Sequence, residues 1–108
     1  MAKVIFEPDH NLASLTGYTS PTFGPVTSGV NVQFTTTNKA GSPAVTLQTS
    51  TDGNIWDNVR DTSGTWLNGL QVGNGFLYSI RTFGRYFRVK GSANGSGGTL
   101  DQITIQHD

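Results

Sequence analysis

A run of hard oxygen donors at residues 50–57, STDGNIWD, is the first place where this sequence offers chemistry. The carboxylates of Asp52 and Asp57 and the amide of Asn54 are ligands of the kind that calcium takes, although the EF-hand pattern with its closing Glu is absent. Asp-Gly between two apolar runs is also typical of a hairpin turn, since Gly adopts a positive φ at no steric cost. We predict a turn at Asp52-Gly53 and no metal or other cofactor, with calcium as the alternative.

The residues that catalyse reactions in other proteins form no recognisable constellation here. His10 and His107 have no companion at catalytic or metal-ligand spacing, so we expect both to be exposed. Asp52, Asp57 and Asp61 lie close together, but Asp in a turn commonly bonds its own backbone. No GxSxG elbow is present, and the absence of cysteine excludes disulfide and thiolate chemistry. The sequence therefore predicts a protein that is not an enzyme.

A basic and aromatic stretch near residue 85 is the third candidate for a site. In a strand over residues 85–90, one face carries Tyr86, Arg88 and Lys90, while Phe87 and Val89 point into the core. Such a face can bind nucleic acid, an acidic surface or a partner protein, or it can simply be solvated. Seven basic and seven acidic residues give a net charge of zero, which argues against a free-standing nucleic-acid binder.

Short alternating runs separated by turn residues must position these side chains. From residue 30 they predict strands over 30–35, 45–48, 55–59, 65–72, 76–80, 85–90 and 100–106. With residues 4–6, this makes seven or eight strands of an antiparallel, jelly-roll-like β-sandwich, an all-β fold. The expected core consists of the inward positions of these strands: Val30, Val32, Phe34, Val45, Leu47, Trp56, Val59, Phe76, Tyr78, Ile80, Phe87, Val89, Ile103 and Ile105.

The first 29 residues read as a loop-rich arm, distinct from the sandwich over residues 30–108. Val4-Ile5-Phe6 is an edge strand or an anchor, and residues 8–29 hold three of the four prolines. We expect an extended segment with one short strand around residues 15–19, which packs over the sandwich or reaches a neighbouring subunit. The glycine-rich run GSANGSGG, residues 91–98, reads as a mobile loop, since no helix follows to bind an anion.

Nothing in the chain resembles a signal peptide or a membrane span, so we expect synthesis in a cytoplasm and no membrane contact. Among the aromatic residues, Trp66 lies in a weak, polar strand. It is therefore the better candidate for an exposed contact, whereas Trp56 is expected in the core.

The runs AVTLQTSTDGNIWDNV and GRYFRVKGSANGSGGTLDQITIQ resemble a pattern found in small jelly-roll-like β-sandwiches. A strand leads into S-x-D-G-x-x-W, and R-Y-[FV]-R-[VL], a glycine-rich loop and a final strand follow. Discoidin-like and carbohydrate-binding sandwiches carry a looser version. Small bacteriophage virion proteins of the capsid decoration or cement type look closer, and the resemblance covers residues 30–106.

That resemblance implies a structural role, in which the chain decorates the capsid as a homotrimer and reinforces joints between subunits of the major capsid protein. The expected partners are the major capsid protein and further copies of the chain, and the expected location is the virion. The residues predicted to contact partners are the apolar side chains of the arm and the basic face, together with Trp66: Val4, Ile5, Phe6, Leu15, Tyr18, Phe23, Trp66, Tyr86, Arg88 and Lys90.

Two alternatives stay open. One is a carbohydrate-binding module, or a tail or neck component in host recognition, with exposed aromatic residues such as Trp66 or Tyr86 beside Asn and Asp side chains. The other is a small hydrolase, which needs two close carboxylates in an ordered pocket.

Overall fold

Alternating apolar residues place two antiparallel sheets face to face, as a computed structural model shows for residues 2–27, 29–59, 69–81 and 86–108. The predicted all-β sandwich is confirmed, and its jelly-roll connectivity stays a prediction. A short 3-10 helix spans Leu12–Gly17. The strands are β1 Ala2–Phe6, β2 His10–Asn11, β3 Gly29–Ala40, β4 Ala44–Ser50, β5 Asp57–Asn58, β6 Leu70–Gln71, β7 Leu77–Arg81, β8 Tyr86–Ala93 and β9 Gly97–His107.

The first sheet has the order β1-β9-β3-β7, with β2 pairing β9 further along. In the second sheet β8 pairs with β4 along the length of β4. The short strands β5 and β6 pair with the two ends of β4. Because successive side chains alternate between faces, each register row is either inward or outward. One inward row joins Val4, Ile105, Val32 and Tyr78. Each fully buried aliphatic side chain in such rows stabilises the fold by about 1.5–3 kcal/mol relative to exposure.

The N-terminal segment belongs to the same core as the strands. Leu12 and Leu15 are fully buried, and Phe23 and Val26 join them. Of the two arrangements that the sequence leaves open for this segment, the structure describes packing on its own domain. Backbone bridges at Thr19 and Phe23 run along β8, opposite Lys90 and Phe87 respectively.

The short strand predicted around residues 15–19 is wrong in its first part, because Leu12–Gly17 forms the 3-10 helix. Asn11 caps it, its side-chain oxygen accepting a hydrogen bond from the Ala13 N–H at 2.9 Å. The backbone departs from helical geometry at Ser14, between Leu12 and Leu15. Both leucine side chains are nonetheless fully buried in the core, which favours these compact turns over an extended strand.

The glycine-rich run 91–98 is not the mobile loop that the sequence predicts. Gly91 lies in β8 and Gly97 opens β9, so only residues 94–96 connect the strands. The connection is tied down, because the Gly95 N–H donates to the Leu12 carbonyl at 2.8 Å. At Gly91 an added Cβ would lie 1.8 Å from the Leu15 carbonyl oxygen. Glycine there permits a close approach of two backbones.

Three of the core and histidine expectations need correction. Phe76 is 36% exposed, because it precedes β7 and lies past the Gln33–Leu77 end of the β3–β7 ladder. Trp56 is only half-buried. His107, expected to be exposed, is buried, and its ring lies 6.0 Å from the Phe23 ring. The other expected core residues are buried, except Tyr78, which packs half-buried against the core.

Several sequence predictions fall outside the described residues. They include Trp66, Asp61 and the turn at 61–64, as well as Arg85 and the bend at 82–84. The strand predicted over 65–72 is described only from residue 69, where β6 covers Leu70–Gln71.

Candidate interaction surfaces

The loop between β4 and β5 shows what the STDGNIWD motif does. The Asp52 carboxylate oxygen Oδ1 accepts hydrogen bonds from the Asn54 and Ile55 backbone N–H groups, at 2.8 and 3.0 Å. The Ser50 hydroxyl donates to the same oxygen at 2.9 Å. Gly53 has a φ of +81°. The strands on either side pair antiparallel, so the predicted hairpin turn is confirmed.

These hydrogen bonds also favour the ionised form of the Asp52 carboxyl group. The backbone N–H groups of Ile55 and Asn54, followed by the Ser50 hydroxyl, hold the pKa of Asp52 below its usual value. The oxygen that a metal would need is thus engaged in organising the turn. Within the described ranges, no three His, Asp or Glu side chains come together as a metal site.

The outer face of the second sheet brings together most of the basic face that the sequence predicts. Tyr86, Arg88 and Lys90 lie opposite Ser50, Gln48 and Thr46 of β4 in the register, on the outward side of β8. Each of the three β8 side chains is partly exposed.

Arg88 is the organising residue of this face. Its guanidinium carbon lies 4.4 Å from the centroid of the Trp56 ring, a cation–π contact. Its Nε donates to the side-chain oxygen of Gln48 at 2.8 Å, and the Gln48 amide donates to the Asn58 side-chain oxygen at 3.1 Å. We call these four residues, together with Tyr86 on the same face of β8, the Arg88 patch: Gln48, Trp56, Asn58, Tyr86 and Arg88.

Sequence reasoning missed three members of the Arg88 patch. Trp56 was expected in the core, since an apolar residue in a strand usually points inward. The Arg88 guanidinium covers it instead, so it occupies the surface without being fully exposed. Gln48 and Asn58 carried a usable signal, since polar residues on the outward positions of neighbouring strands meet across a sheet.

The predicted contact residues of the arm divide into two groups. Leu15 and Phe23 are buried within the chain, and Phe23 stacks on Phe87 with ring centroids 6.0 Å apart. The prediction that these two contact a partner is therefore wrong for the folded chain. Tyr18 is half-buried with its ring 5.4 Å from that of His10, and burial raises its pKa.

Strand β1 carries the other arm residues and ends the first sheet. Val4 and Phe6 are half-buried and pack against the core, whereas Ile5 points outward and is 47% exposed. The row of Ile5 continues across the sheet through the polar Thr104 and Gln33 to the exposed Leu77, and Lys3 lies on the same outward face of β1. In the described part of the chain β9 is the strand that pairs β1, so the other edge of β1 is unpaired.

A shallow polar cleft of about 500 Å³ lies where the β2 end meets β3 and β9. Two of its lining residues, Asp9 and Asn38, have positive φ angles of 45° and 54°. Such conformations cost energy and are concentrated at functional sites. The polar side chains around the cleft are those of Asp9, Asn11, Thr37, Asn38, Ser96 and Thr99.

No family model, curated protein or solved structure matches the chain. Within the described residues, no helix has the length and apolar character needed to cross a membrane.

Proposed function

We propose that the chain is a non-enzymatic structural protein of a phage particle, which binds subunits of the major capsid protein and its own copies. The proposal assigns the Arg88 patch to the capsid, and it expects a homotrimer on the particle. Attachment is multivalent, because modest contacts repeated by symmetry sum to tight clamping.

The Arg88 patch is the observation that carries this proposal. Trp, Tyr and Arg are the residue types enriched in the energetic centres of protein interfaces. Here the cation–π contact with Trp56 and the hydrogen bond to Gln48 hold the guanidinium in place before any partner arrives. A side chain that is already ordered loses less conformational entropy on binding, which strengthens association.

The first experiment asks whether the chain belongs to particles. Particles are purified from cells that carry the gene, and their proteins are quantified by mass spectrometry. We expect the chain at a copy number comparable with that of the major capsid protein. Its absence from purified particles would overturn the proposal.

The second experiment asks whether the Arg88 patch makes the contact. Particles that lack this chain are mixed with either the wild-type protein or Arg88→Ala, and binding is measured by co-sedimentation. We expect the Kd for particle binding to rise about tenfold or more in the variant. Lys39→Ala, which removes a positive charge near Phe76, serves as the control. Equal binding by all three proteins would remove the Arg88 patch from the interface. Deletion of the arm is not informative, because it removes Leu12, Leu15 and Phe23 from the core.

The polar cleft supports a second candidate function, carbohydrate binding. Asn and Asp side chains around an open cleft match the many hydroxyl groups of a sugar, which both donate and accept hydrogen bonds. The substitution Asn38→Gly removes the amide while keeping a residue that tolerates the positive φ. Binding on a glycan array that is lost in this variant would favour the carbohydrate reading, and a flat wild-type array would remove it.

A further inference from the structure

We propose that β1 pairs with β1 of a second copy of this chain, antiparallel and centred on Ile5. The inference rests on the self-binding part of the proposed function and names the surface that mediates it. Among the described residues β1 ends the first sheet, so the backbone groups on its outer edge are available to a further strand. Its outward side chain Ile5 is 47% exposed, which leaves apolar surface to cover.

Two-fold symmetry restricts the register of such a pair. Residues directly opposite each other in an antiparallel pair have side chains on the same face, so the symmetry axis must pass through a residue position. An axis at Ile5 places Ile5 opposite Ile5 of the second copy. Val4 then lies opposite Phe6 on the inward face, and Lys3 lies opposite Glu7 on the outward face.

Charge favours this register. Lys3 and Glu7 are both exposed, and four residues of extended chain separate them by about 13 Å, too far for an ion pair within one strand. Glu7 directly follows β1, and Pro8 favours the extended conformation that would continue the strand there. In the paired strands, directly opposite Cβ atoms lie about 4.5–5.5 Å apart, so Lys3 meets Glu7 of the second copy twice, on either side of the Ile5 pair.

The neighbouring registers lack this match. An axis at Val4 sets the Lys3 ammonium opposite the Ile5 side chain. An axis at Phe6 sets the Glu7 carboxylate opposite Ile5 and moves Pro8, which has no backbone N–H, from opposite Ala2 at the end of the pair to opposite Val4. A lysine on an edge strand normally discourages pairing with other strands. Here the second copy supplies the Glu7 carboxylate opposite Lys3. The edge of β1 therefore favours pairing with another β1 over pairing with unrelated strands.

The pairing joins two copies, so the expected homotrimer would form through another surface, and β1 would link neighbouring trimers. Breaking the β1 contact should therefore lower the solution mass to that of the smaller unit, which is half the mass when that unit is a single chain. Lys3→Glu and Glu7→Lys each replace two attractive pairs with two repulsive ones, and each should raise the Kd of self-association by about tenfold or more. Sedimentation velocity measures the mass of each variant.

A mixture of the two variants gives the decisive measurement. In a mixed pair, one copy carries Glu at positions 3 and 7 and the other carries Lys at both. Every opposed pair is then attractive, so we expect the mass of the wild-type assembly to be restored. The control mixture of Glu7→Lys with Lys39→Glu has the same net charges as the first mixture. It keeps one repulsive pair, between the lysines at positions 3 and 7, so it should not restore the mass fully. A wild-type chain that is monomeric near millimolar concentration, or single variants that associate like wild type, would overturn the proposal.

Cross-linking tests whether the β1 edge makes the contact. The chain contains no cysteine, so Ile5→Cys introduces a single thiol, and a short bis-maleimide should join two copies efficiently. Leu77→Cys, an exposed apolar position on the opposite edge of the same sheet, is the matched control and should stay uncross-linked. Equal cross-linking at both positions would overturn the assignment of the contact to β1. Particle binding is measured separately with Arg88→Ala, so loss of β1 pairing and loss of capsid binding are distinguishable.

Discussion

Two sheet edges lie within reach of the N-terminal segment, that of β8 and that of β1. At β8 the same chain supplies the missing strand: the Ser20 N–H donates to the Val89 carbonyl at 2.8 Å, and Phe23 exchanges two backbone hydrogen bonds with Phe87 at 2.9 Å. At β1 the described chain supplies no second neighbour, and Ile5 stays exposed. The chain itself closes one edge, whereas the other has no second neighbour among the described residues.

The difference also shows in side-chain burial. The arm that covers β8 buries Leu15 and Phe23 in the core, so its position is fixed by packing as well as by hydrogen bonds. β1 buries only its inward side chains, and its outward row is polar apart from Ile5. Substitutions in the covered edge should therefore destabilise the fold, whereas substitutions in the open edge should change association.

The largest effect is expected at Gly91, where the arm meets β8. Gly91→Ala would place a Cβ 1.8 Å from the Leu15 carbonyl oxygen, so arm and strand must separate. We expect the free energy of unfolding to fall by about 3 kcal/mol in urea denaturation. Gly97→Ala, where the added Cβ meets open space, is the control and should be close to neutral. Similar stabilities for the two variants would show that the arm does not pack closely on β8.

A smaller loss is expected at Ser20. Its hydroxyl accepts a hydrogen bond from the Val89 N–H at 2.8 Å and donates to the Pro21 carbonyl at 3.0 Å. Ser20→Ala leaves the buried Val89 N–H without its acceptor, which should cost about 1–2 kcal/mol in the same denaturation experiment. The exposed Ser92 on the same strand provides the control, since Ser92→Ala should leave stability unchanged. If both variants match the wild type, the hydroxyl does not help to close the edge.

At the open edge, the effect on stability should be smaller still. Ile5→Thr keeps a β-branched side chain and shortens an exposed one, so the free energy of unfolding should change by no more than about 0.5 kcal/mol. Self-association should weaken, because the central apolar contact of the proposed pair is lost. Calorimetry and sedimentation separate the two quantities. A large loss of stability would mean that Ile5 already packs within the chain and that the edge is not open.

The sequence predicts the sandwich well, because strict alternation in runs such as Val30, Val32 and Phe34 has one interpretation. It predicts the arm poorly, because no periodicity links Leu12 and Leu15 to the strand they cover. Their burial depends on Gly91, about eighty residues away, and a glycine-rich run looks the same whether it is mobile or packed. The deciding contact is long-range, so local patterns carry no sign of it.

The candidate surfaces also have a part that the sequence predicts and a part that it does not. Because side chains alternate between the two faces of β8, the sequence alone places Arg88 and Lys90 on one face. The cation–π partner of Arg88 is not predictable in that way, because Trp56 lies in a connecting segment between β4 and β5 whose path the sequence does not set. That β1 has no second neighbour among the described strands is also not predictable locally, because the strand order arises from pairing between β1 and the distant β9.

The smallest expected effect concerns pH at the closed edge. Burial raises the pKa of Tyr18 above its usual value of 10.0, so between these two pKa values the folded chain holds a proton that the unfolded chain has lost. The Tyr18 contribution to stability is therefore fully present below about pH 10 and is lost as pH rises through the folded pKa. Tyr18→Phe should flatten this alkaline decline in urea denaturation series, whereas Ile5→Thr should leave it unchanged. A decline of equal slope in both variants would mean that alkali acts elsewhere than on the arm that covers β8.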